Sequence, residues 1–279
     1  MSIGNLGREG YIPVLMVEGE NIPEVWEKAC LATWERGIAI PTEYDLPTSP
    51  PSRDATLIMV IKNPMAEPRI SRAFPGGLEE LEIYRQEVLY GVHDHWINPG
   101  EGKWTYTYHK RLFAYEMEGE AIDQINYIIR KLSEVTYSRR AQAITWNPRI
   151  DPPTDDPPCL QRIFCRLVPQ GDKYLLNMNT HWRSRDGWKA SFMNIFALTS
   201  LQMLIAEKIS ERLGRVVSCG RYVDISDSFH IYGSYYKDFE KFLETLKARP
   251  FAERTWTMDF AEPFFEEGRE RLRREKKER

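Results

Sequence analysis

Cys159 stands directly after a proline pair in the stretch DPPTDDPPCLQRIFCRL, residues 151–167, and carries a side chain able to do covalent chemistry. A cysteine attacks as its thiolate, which needs a positive environment, and the chain offers arginines nearby in sequence at Arg139, Arg140 and Arg183. The competing reading is a small buried hydrophobe at a strand start, and base rates weigh the two evenly. Prolines hold φ near about −65°, so the pair narrows the ways the chain can enter the apolar run and holds Cys159 at a strand edge. Cys30, Cys165 and Cys219 form no C-x-x-C pair and no metal-ligand spacing. The sequence therefore calls for no metal, and the cysteines read as thiols of a reducing compartment, with Cys165 inside the strand as packing.

A second set lies in HWRSRDGWKASFMN, residues 181–194. Arg183 and Ser184, a cation beside a hydroxyl at a strand end, suit phosphate oxygens. Asp186 and Asn194 follow. Capping of the next helix is the plain alternative, open to Asp186 or Ser191. It is weaker for Asn194, which sits within an apolar helical stretch where an unsatisfied amide costs about 1–3 kcal/mol and wants a partner. A third set, DISDSFHIYGSYY, spaces His230 and Tyr232 two apart, on one face of an extended chain, where they could grip a sugar hydroxyl.

These residues need elements to hold them. Helical periodicity marks residues 22–37, 77–90, 122–132, 190–213 and 236–248, the fourth being the longest and apolar enough to be central and buried. Residues 55–62, 141–146, 160–168, 174–181 and 216–225 read as strands, with the turn Pro-Gln-Gly-Asp-Lys joining the third to the fourth. Residues 103–113 alternate aromatic and polar side chains as a half-buried extended segment would, and residues 43–54 are too rich in Pro, Ser and Asp to be regular. No internal repeat or low-complexity segment appears, so the order predicts one α+β domain over 1–279, a sheet packed against helices.

With 279 residues and 42% hydrophobic side chains the chain can bury a substantial core, and a formal net charge of −3 advertises neither a nucleic-acid nor a membrane surface. The opening MSIGNLGREG lacks the pattern of a secretory signal, and residues 192–209 are interrupted by Asn194, Thr199, Ser200, Gln202 and Glu207, against a membrane span. A cytoplasmic location is expected. The basic ending, residues 268–279, alternates its charges as a solvated helix or a frayed tail would.

Taken in order, Arg139-Arg140, Trp146-Asn147, Pro158-Cys159, Arg183-Ser184-x-Asp186 with Asn194, and His230-Ile-Tyr232 resemble the thymidylate synthase and pyrimidine nucleotide hydroxymethylase family, best over residues 106–236. The resemblance implies a mixed sheet against helices with one sheet face used for a homodimer. It makes Cys159 the nucleophile at C6 of a pyrimidine nucleoside 5′-monophosphate, so that C5 can capture the carbon of 5,10-methylenetetrahydrofolate. Arg183 and Ser184 would hold the 5′-phosphate, Arg139 and Arg140 would reach it from the other subunit, and these cations would depress the Cys159 pKa. A further phosphate arginine would be Arg69 or Arg53, with Arg69 preferred. His230 and Tyr232 would bind the sugar, Asp186 the folate, and Tyr108 would serve removal of the C5 proton. A glutamate that organises water and protonates the base matches Glu87 best, with Glu80 and Glu82 on the same helical stretch. Asn194 can satisfy O4 and N3–H of uracil, which favours dUMP over dCMP.

Three departures bear on the reaction. Leu160 stands where a histidine usually follows the cysteine, the shielding indole falls near His93 with Trp96 close by, and an apolar closing tail is replaced by Arg and Lys. Reductive methylation of dUMP is thus the leading expectation, and hydroxymethylation of dUMP, dCMP or CMP, with water in place of hydride, the first rival. A nucleotide-binding protein that kept the fold without the chemistry is the second.

Overall fold

The longest apolar stretch folds into a helix, Ser191–Leu213, whose Phe192, Ile195, Phe196, Leu198, Leu201, Ile205 and Ile209 are buried, and the rest of the chain is arranged around it. The computed structural model describes residues 10–278, so the start of the opening segment read above for a secretory signal lies outside the described residues. In chain order the elements are β1 (Val14–Gly19), α1 (Ile22–Arg36), β2 (Ile38–Ile40), β3 (Ser52–Ile61), β4 (Ile70–Ser71), α2 (Leu78–Tyr90), α3 (Tyr108–Phe113), β5 (Tyr115–Met117), β6 (Glu120–Ile122), α4 (Gln124–Glu134), β7 (Gln142–Ile144), β8 (Leu160–Gln170), β9 (Lys173–Trp182), β10 (Arg185–Asp186), α5 (Ser191–Leu213), β11 (Val217–Ile231), α6 (Tyr236–Ala248), β12 (Thr255–Trp256) and α7 (Met258–Lys277).

The main sheet runs β1-β3-β11-β9-β8-β7, with β2 added to β3 and β10 to β11. It is mixed: β1 with β3 and β11 with β9 are parallel, while β3 with β11, β8 with β9 and β7 with β8 are antiparallel. Strand side chains alternate between faces. In β9 Leu176, Met178, Thr180 and Trp182 are buried while Leu175, Asn177, Asn179 and His181 are only half-covered. The buried face packs on α1 and α5, and α2 and α4 pack on α5 in turn. By length and composition α5 could cross a membrane, but two-thirds of it is enclosed by this core. The expected α+β architecture, a mixed sheet against helices with a long central helix, is the one observed.

Two register shifts matter for function. One falls between Leu160 and Arg162, next to Cys159, and the other between Ser226 and Phe229, just before His230. Bulges of this kind re-aim side chains at sheet ends.

Several expectations are corrected. Residues 103–113 are not extended throughout. Thr107 accepts from the Lys110 amide at 3.0 Å and so caps α3, while the aromatic alternation reflects packing of Trp104 on Trp96 and Tyr106 on Tyr108. β3 begins at Ser52, inside the segment read as irregular, and β11 continues past residue 225 to Ile231. β1 was not anticipated as an element, and of the two readings of the basic ending the helix holds, as the last part of an α7 that begins at Met258. α7 buries Ala261, Phe265 and Gly268, and a Cβ at Gly268 would sit 3.1 Å from the Glu79 carbonyl, so the glycine lets α7 approach α2 closely. Its arginines pair with α2: Arg269 meets Glu82 at 3.3 Å and Arg271 meets Glu79 at 3.2 Å. The ending is thus a helix whose charges are mostly exposed, Glu270, Arg273, Arg274, Lys276 and Lys277 among them, while Arg269 and Arg271 dock on α2.

Candidate active site

The loop that delivers Cys159 is anchored at its start. Asp151 is 2% exposed and receives Arg111 Nη2 at 2.5 Å, and the Asn147 amide donates to Asp151 Oδ2 at 2.6 Å. Its far end is held by Arg183, whose Nη2 donates to the Pro157 carbonyl at 2.6 Å, Nε to the Pro158 carbonyl at 3.1 Å and backbone amide to the Cys159 carbonyl at 2.9 Å. The prolines are thus clamped against β9, and the thiol is half-buried at the entry to β8.

The sign of the thiol's shift differs from expectation. Burial raises the Cys159 pKa and outweighs Arg183 and Arg185, which lower it, while Asp156 adds to the rise. Desolvation of the charged form wins over the cations. Tyr108 sits against the same segment: its hydroxyl accepts from the Leu160 amide at 3.3 Å and its ring meets Trp182 edge-on at 5.8 Å. Burial first, then Cys159, raises the Tyr108 pKa, so the phenol stays protonated.

A cleft of about 690 Å³ opens beside this tyrosine, lined by Tyr84, Glu87, Trp104, Tyr106, Tyr108 and Asp156 among others. Of the three candidate glutamates, only Glu87 lines it. Glu82 is fully buried between Arg85, at 2.6 Å, and Arg269, and Glu80 is exposed. Glu87 receives His93 Nδ1 at 3.0 Å. Asn194 finds the partner its position requires in Tyr84, a residue the sequence did not single out, with Nδ2 to the hydroxyl at 2.5 Å.

At the same strand end, where Trp182 pairs with Leu160 and β10 pairs with His230, Asp186 accepts from the amides of Trp188 and Lys189 at 3.1 and 2.9 Å, bracing the turn into α5. Burial raises its pKa. His230 and Tyr232 lie together, with ring centroids 4.6 Å apart. A side chain at Gly233 would collide with the Pro50 carbonyl, so glycine lets that loop close on Tyr232. Ser228 Oγ donates to Asp54 Oδ2 at 2.5 Å and therefore receives His230 Nδ1 at 3.2 Å, which makes Nε2 the acceptor nitrogen. Among the described residues that Nε2 is buried without a hydrogen-bond partner.

Arg69 does not join this group. Its Nε donates to the Pro64 carbonyl and its Nη2 to Thr199, both at 3.2 Å, and its guanidinium covers Phe196 at 4.9 Å. The chain's fold turns it into the core, 5% exposed, where burial draws its pKa down to about 10, and its neighbouring thiol is Cys219, at the end of β11 remote from His230. Arg53 is the one that neighbours the site: it pairs in register with Ile231, lies over Trp34 at 4.8 Å, and keeps a buried Nε without a partner among the described residues. Arg139 and Arg140 are exposed just before β7. The Cys165 amide donates to the Ala141 carbonyl beside them, which places them six residues along β8 from Cys159, about 20 Å at a strand's rise.

Arg185, passed over as the variable position of its motif, is also part of the site. It is 1% exposed, stacks on Trp182 at 3.6 Å and faces Asp224 at 3.0 Å. Asp224 also accepts from Tyr222, Ser226 and Thr180, at 3.1, 3.1 and 3.2 Å. No sequence signal separates it from its polar neighbours Arg183, Ser184, Asp186 and Lys189, because its buried counter-charge, Asp224, lies on a distant strand.

The family profile of thymidylate synthase matches residues 80–264. The "Putative thymidylate synthase" of Methanocaldococcus jannaschii is 35% identical over 197 residues, covering 68% of this chain and 80% of that protein. Its namesake in Methanosarcina mazei is 30% identical over 217 residues, covering 78% of this chain and 89% of that protein. Among solved structures, thermostable thymidylate synthase A from Bacillus subtilis aligns with a TM-score of 0.60 at 17% identity over 80% of this chain and 84% of its own, a likeness of fold.

Proposed function

Because the chain belongs to the thymidylate synthase family, we propose that it transfers a one-carbon unit to C5 of a pyrimidine nucleoside 5′-monophosphate, and that the reaction is reductive methylation of dUMP to dTMP in the cytoplasm. The observation that carries this reading is the grouping of a clamped, half-buried Cys159 with Tyr108 against one segment, next to a cleft of a size usual for small-molecule sites.

In this mechanism Cys159 Sγ bonds to C6 as its proton passes to water, and the C5–C6 electron pair moves toward O4, which is protonated in turn. The buried thiol favours the neutral form at rest, so attack and proton loss go together. Arg183, Ser184 and Arg53 bind the phosphate. Arg53 replaces Arg69 in that role, since Arg69 is enclosed in the core. The unpartnered His230 Nε2 accepts from a sugar hydroxyl, with Tyr232 beside it. Asn194 reads the base edge, and Glu87 protonates and deprotonates at O4 through water. Tyr108 takes the C5 proton as its own hydroxyl proton passes to water, Cys159 leaves C6 as thiolate once the hydride has reached the methylene, and Asp186 contacts the folate. Methylenetetrahydrofolate supplies both the carbon and, on becoming dihydrofolate, the hydride. The chain's part is then to keep water from the exocyclic methylene, and Trp104, which lines the cleft with 41% of its surface exposed and Trp96 edge-on behind it at 5.0 Å, is the aromatic available to cover the methylene once nucleotide and folate fill the cleft.

We also propose a homodimer through the sheet face that no helix covers among the described residues, where Val14 and Met16 are 70% and 64% exposed. The separation of Arg139 and Arg140 from their own Cys159 supports their serving the partner's phosphate. The test is incubation with dUMP, dCMP and CMP plus methylenetetrahydrofolate. Dihydrofolate formation with dUMP, read by absorbance and product mass, supports the synthase; hydroxymethyl product without dihydrofolate sinks it in favour of hydroxymethylation. Nucleotide binding with no tritium release from C5-labelled dUMP sinks both. Cys159→Ser abolishes turnover while retaining nucleotide binding.

A further inference from the structure

Glu87, on the last turn of α2, meets the cleft on one side and His93 on the other. His93 is 4% exposed and its ring is fixed flat against Trp96, 3.7 Å between centroids at 8°, with Trp104 edge-on at 6.2 Å. Its second nitrogen, Nε2, looks away from the cleft toward Glu275 Oε2 on α7, 4.0 Å away. One bridging water or a small swing of the glutamate closes that gap. Glu275 Oε1 is held by Arg271 Nε at 3.2 Å, and Arg271 Nη1 returns to Glu79 of α2 at 3.2 Å, so Glu275 is oriented although its side chain is 32% exposed.

We propose that His93 is a positioning residue that relays protons between Glu87 and solvent through Glu275, behind the cleft. The inference rests on the proposed role of Glu87. The resting imidazole carries its proton on Nδ1, donated to the Glu87 carboxylate, and offers its Nε2 lone pair to Glu275. A proton arriving from Glu275 or its water makes the imidazolium. The Nδ1 proton then passes to Glu87, leaving neutral imidazole protonated on Nε2 and a neutral Glu87. The reverse sequence drains a proton from Glu87 to solvent. One proton enters and one position moves at each step, with no other reactant. Such a path lets Glu87 recharge while the cleft is filled by nucleotide and folate and bulk water is shut out on that side. The groups facing the ring are Glu87 from α2, Glu275 from α7, and His95, whose ring centroid lies 6.3 Å away, with Trp96 and Trp104; Arg271 and Glu79 follow behind Glu275.

The experiment uses the full chain with His93→Phe, His93→Gln, Glu275→Gln and Glu87→Gln, measuring kcat and KM for dUMP and C5 tritium release across pH. His93→Phe lowers kcat by roughly 10²-fold with KM little changed, the scale of one acid–base contribution. Glu275→Gln, a half-buried position where the amide oxygen can still accept from Arg271, lowers kcat by about three- to tenfold, moves the acid limb of the pH profile and enlarges the solvent deuterium effect. Wild-type pH profiles in both variants overturn the relay. Wild-type turnover tests the underlying reading separately, as does loss of activity in Glu87→Gln. A readout independent of turnover is the nitrogen NMR titration of His93, one of five histidines. Its curve shifts in both Glu87→Gln and Glu275→Gln if the three groups are coupled, and an unmoved curve overturns the proposal.

Discussion

Arg183 donates to the carbonyls of both Pro157 and Pro158, at 2.6 and 3.1 Å, so the residue proposed for the phosphate is also the clamp on the loop that carries Cys159. A guanidinium can serve both because its donors are fixed in a fork, whereas an ammonium is a point charge. Arg183→Lys keeps the charge and loses the fork. It lowers kcat/KM for dUMP by roughly 10²-fold, about 2–3 kcal/mol for two lost hydrogen bonds near a charge, and slows alkylation of Cys159 in the free enzyme. If alkylation is unchanged and only nucleotide binding weakens, the clamp is not what positions the thiol.

Asn194 and Tyr84 make a second pair with a consequence for specificity. With Nδ2 committed to the Tyr84 hydroxyl at 2.5 Å, the amide has a preferred orientation toward the base. Tyr84→Phe frees the amide to turn over and so to match either O4 with N3–H or the exocyclic amine with N3. The ratio of kcat/KM for dUMP over dCMP falls by about tenfold, the scale of one hydrogen bond's discrimination. A ratio unchanged within experimental error removes Tyr84 from the specificity set.

The docking of α7 on α2 predicts a stability effect at a distance from the site. Glu82, with 0% exposure, has Arg85 at 2.6 Å and Arg269 at 3.3 Å. Removing one member of a buried ion group leaves charge uncompensated and costs about 3–5 kcal/mol. Glu82→Gln therefore lowers Tm by roughly 6–20 °C, taking about 2–4 °C per kcal/mol for a chain of this size. Glu80→Gln, at an exposed position, leaves Tm within about 2 °C. Equal Tm values for the two variants would mean that α7 is not held by Glu82.

What could be read before the fold was known follows from which interactions are local. Residues 190–213 and 236–248 declare their helices by period, and the hairpin of residues 160–181 by alternation, because burial of one face repeats along the chain. The order of Cys159, Arg183, Asn194 and His230 carried the family. Side-chain direction was not legible. Arg53 and Arg69 look equivalent in sequence, yet one is aligned beside Ile231 by strand pairing and the other is turned onto Phe196. The charged ending is solvated over most of its length, and the docking of Arg269 and Arg271 was not legible because their counter-ions, Glu82 and Glu79, lie far away in sequence. Likewise the thiol shift took the opposite sign because the loss of solvation at Cys159 depends on three-dimensional enclosure, which a count of nearby arginines does not contain.

His230 gives the fold a dependence on pH whose sign can be worked out. The imidazole is 4% exposed, and burial lowers its pKa from 6.5 to about 4. The unfolded chain thus takes up a proton before the folded one as pH falls. Stability contributed by neutral His230 is complete above about pH 6.5 and is lost as pH drops toward about 4, on the order of 3 kcal/mol over the window. Asp54, whose carboxyl is raised by burial, works in the opposite sense, so the measurement needs a reference that keeps Asp54. In His230→Gln the window disappears. Between about pH 7 and pH 5, Tm of the wild type falls by roughly 4–8 °C more than that of the variant. Nucleotide affinity holds down to about pH 5 and weakens as pH falls through about 4, because protonation in the folded state converts the unpartnered Nε2 from an acceptor into a donor at the position proposed for the sugar hydroxyl. Parallel Tm curves for the two proteins would show that His230 does not carry the buried neutral charge state on which its binding role depends.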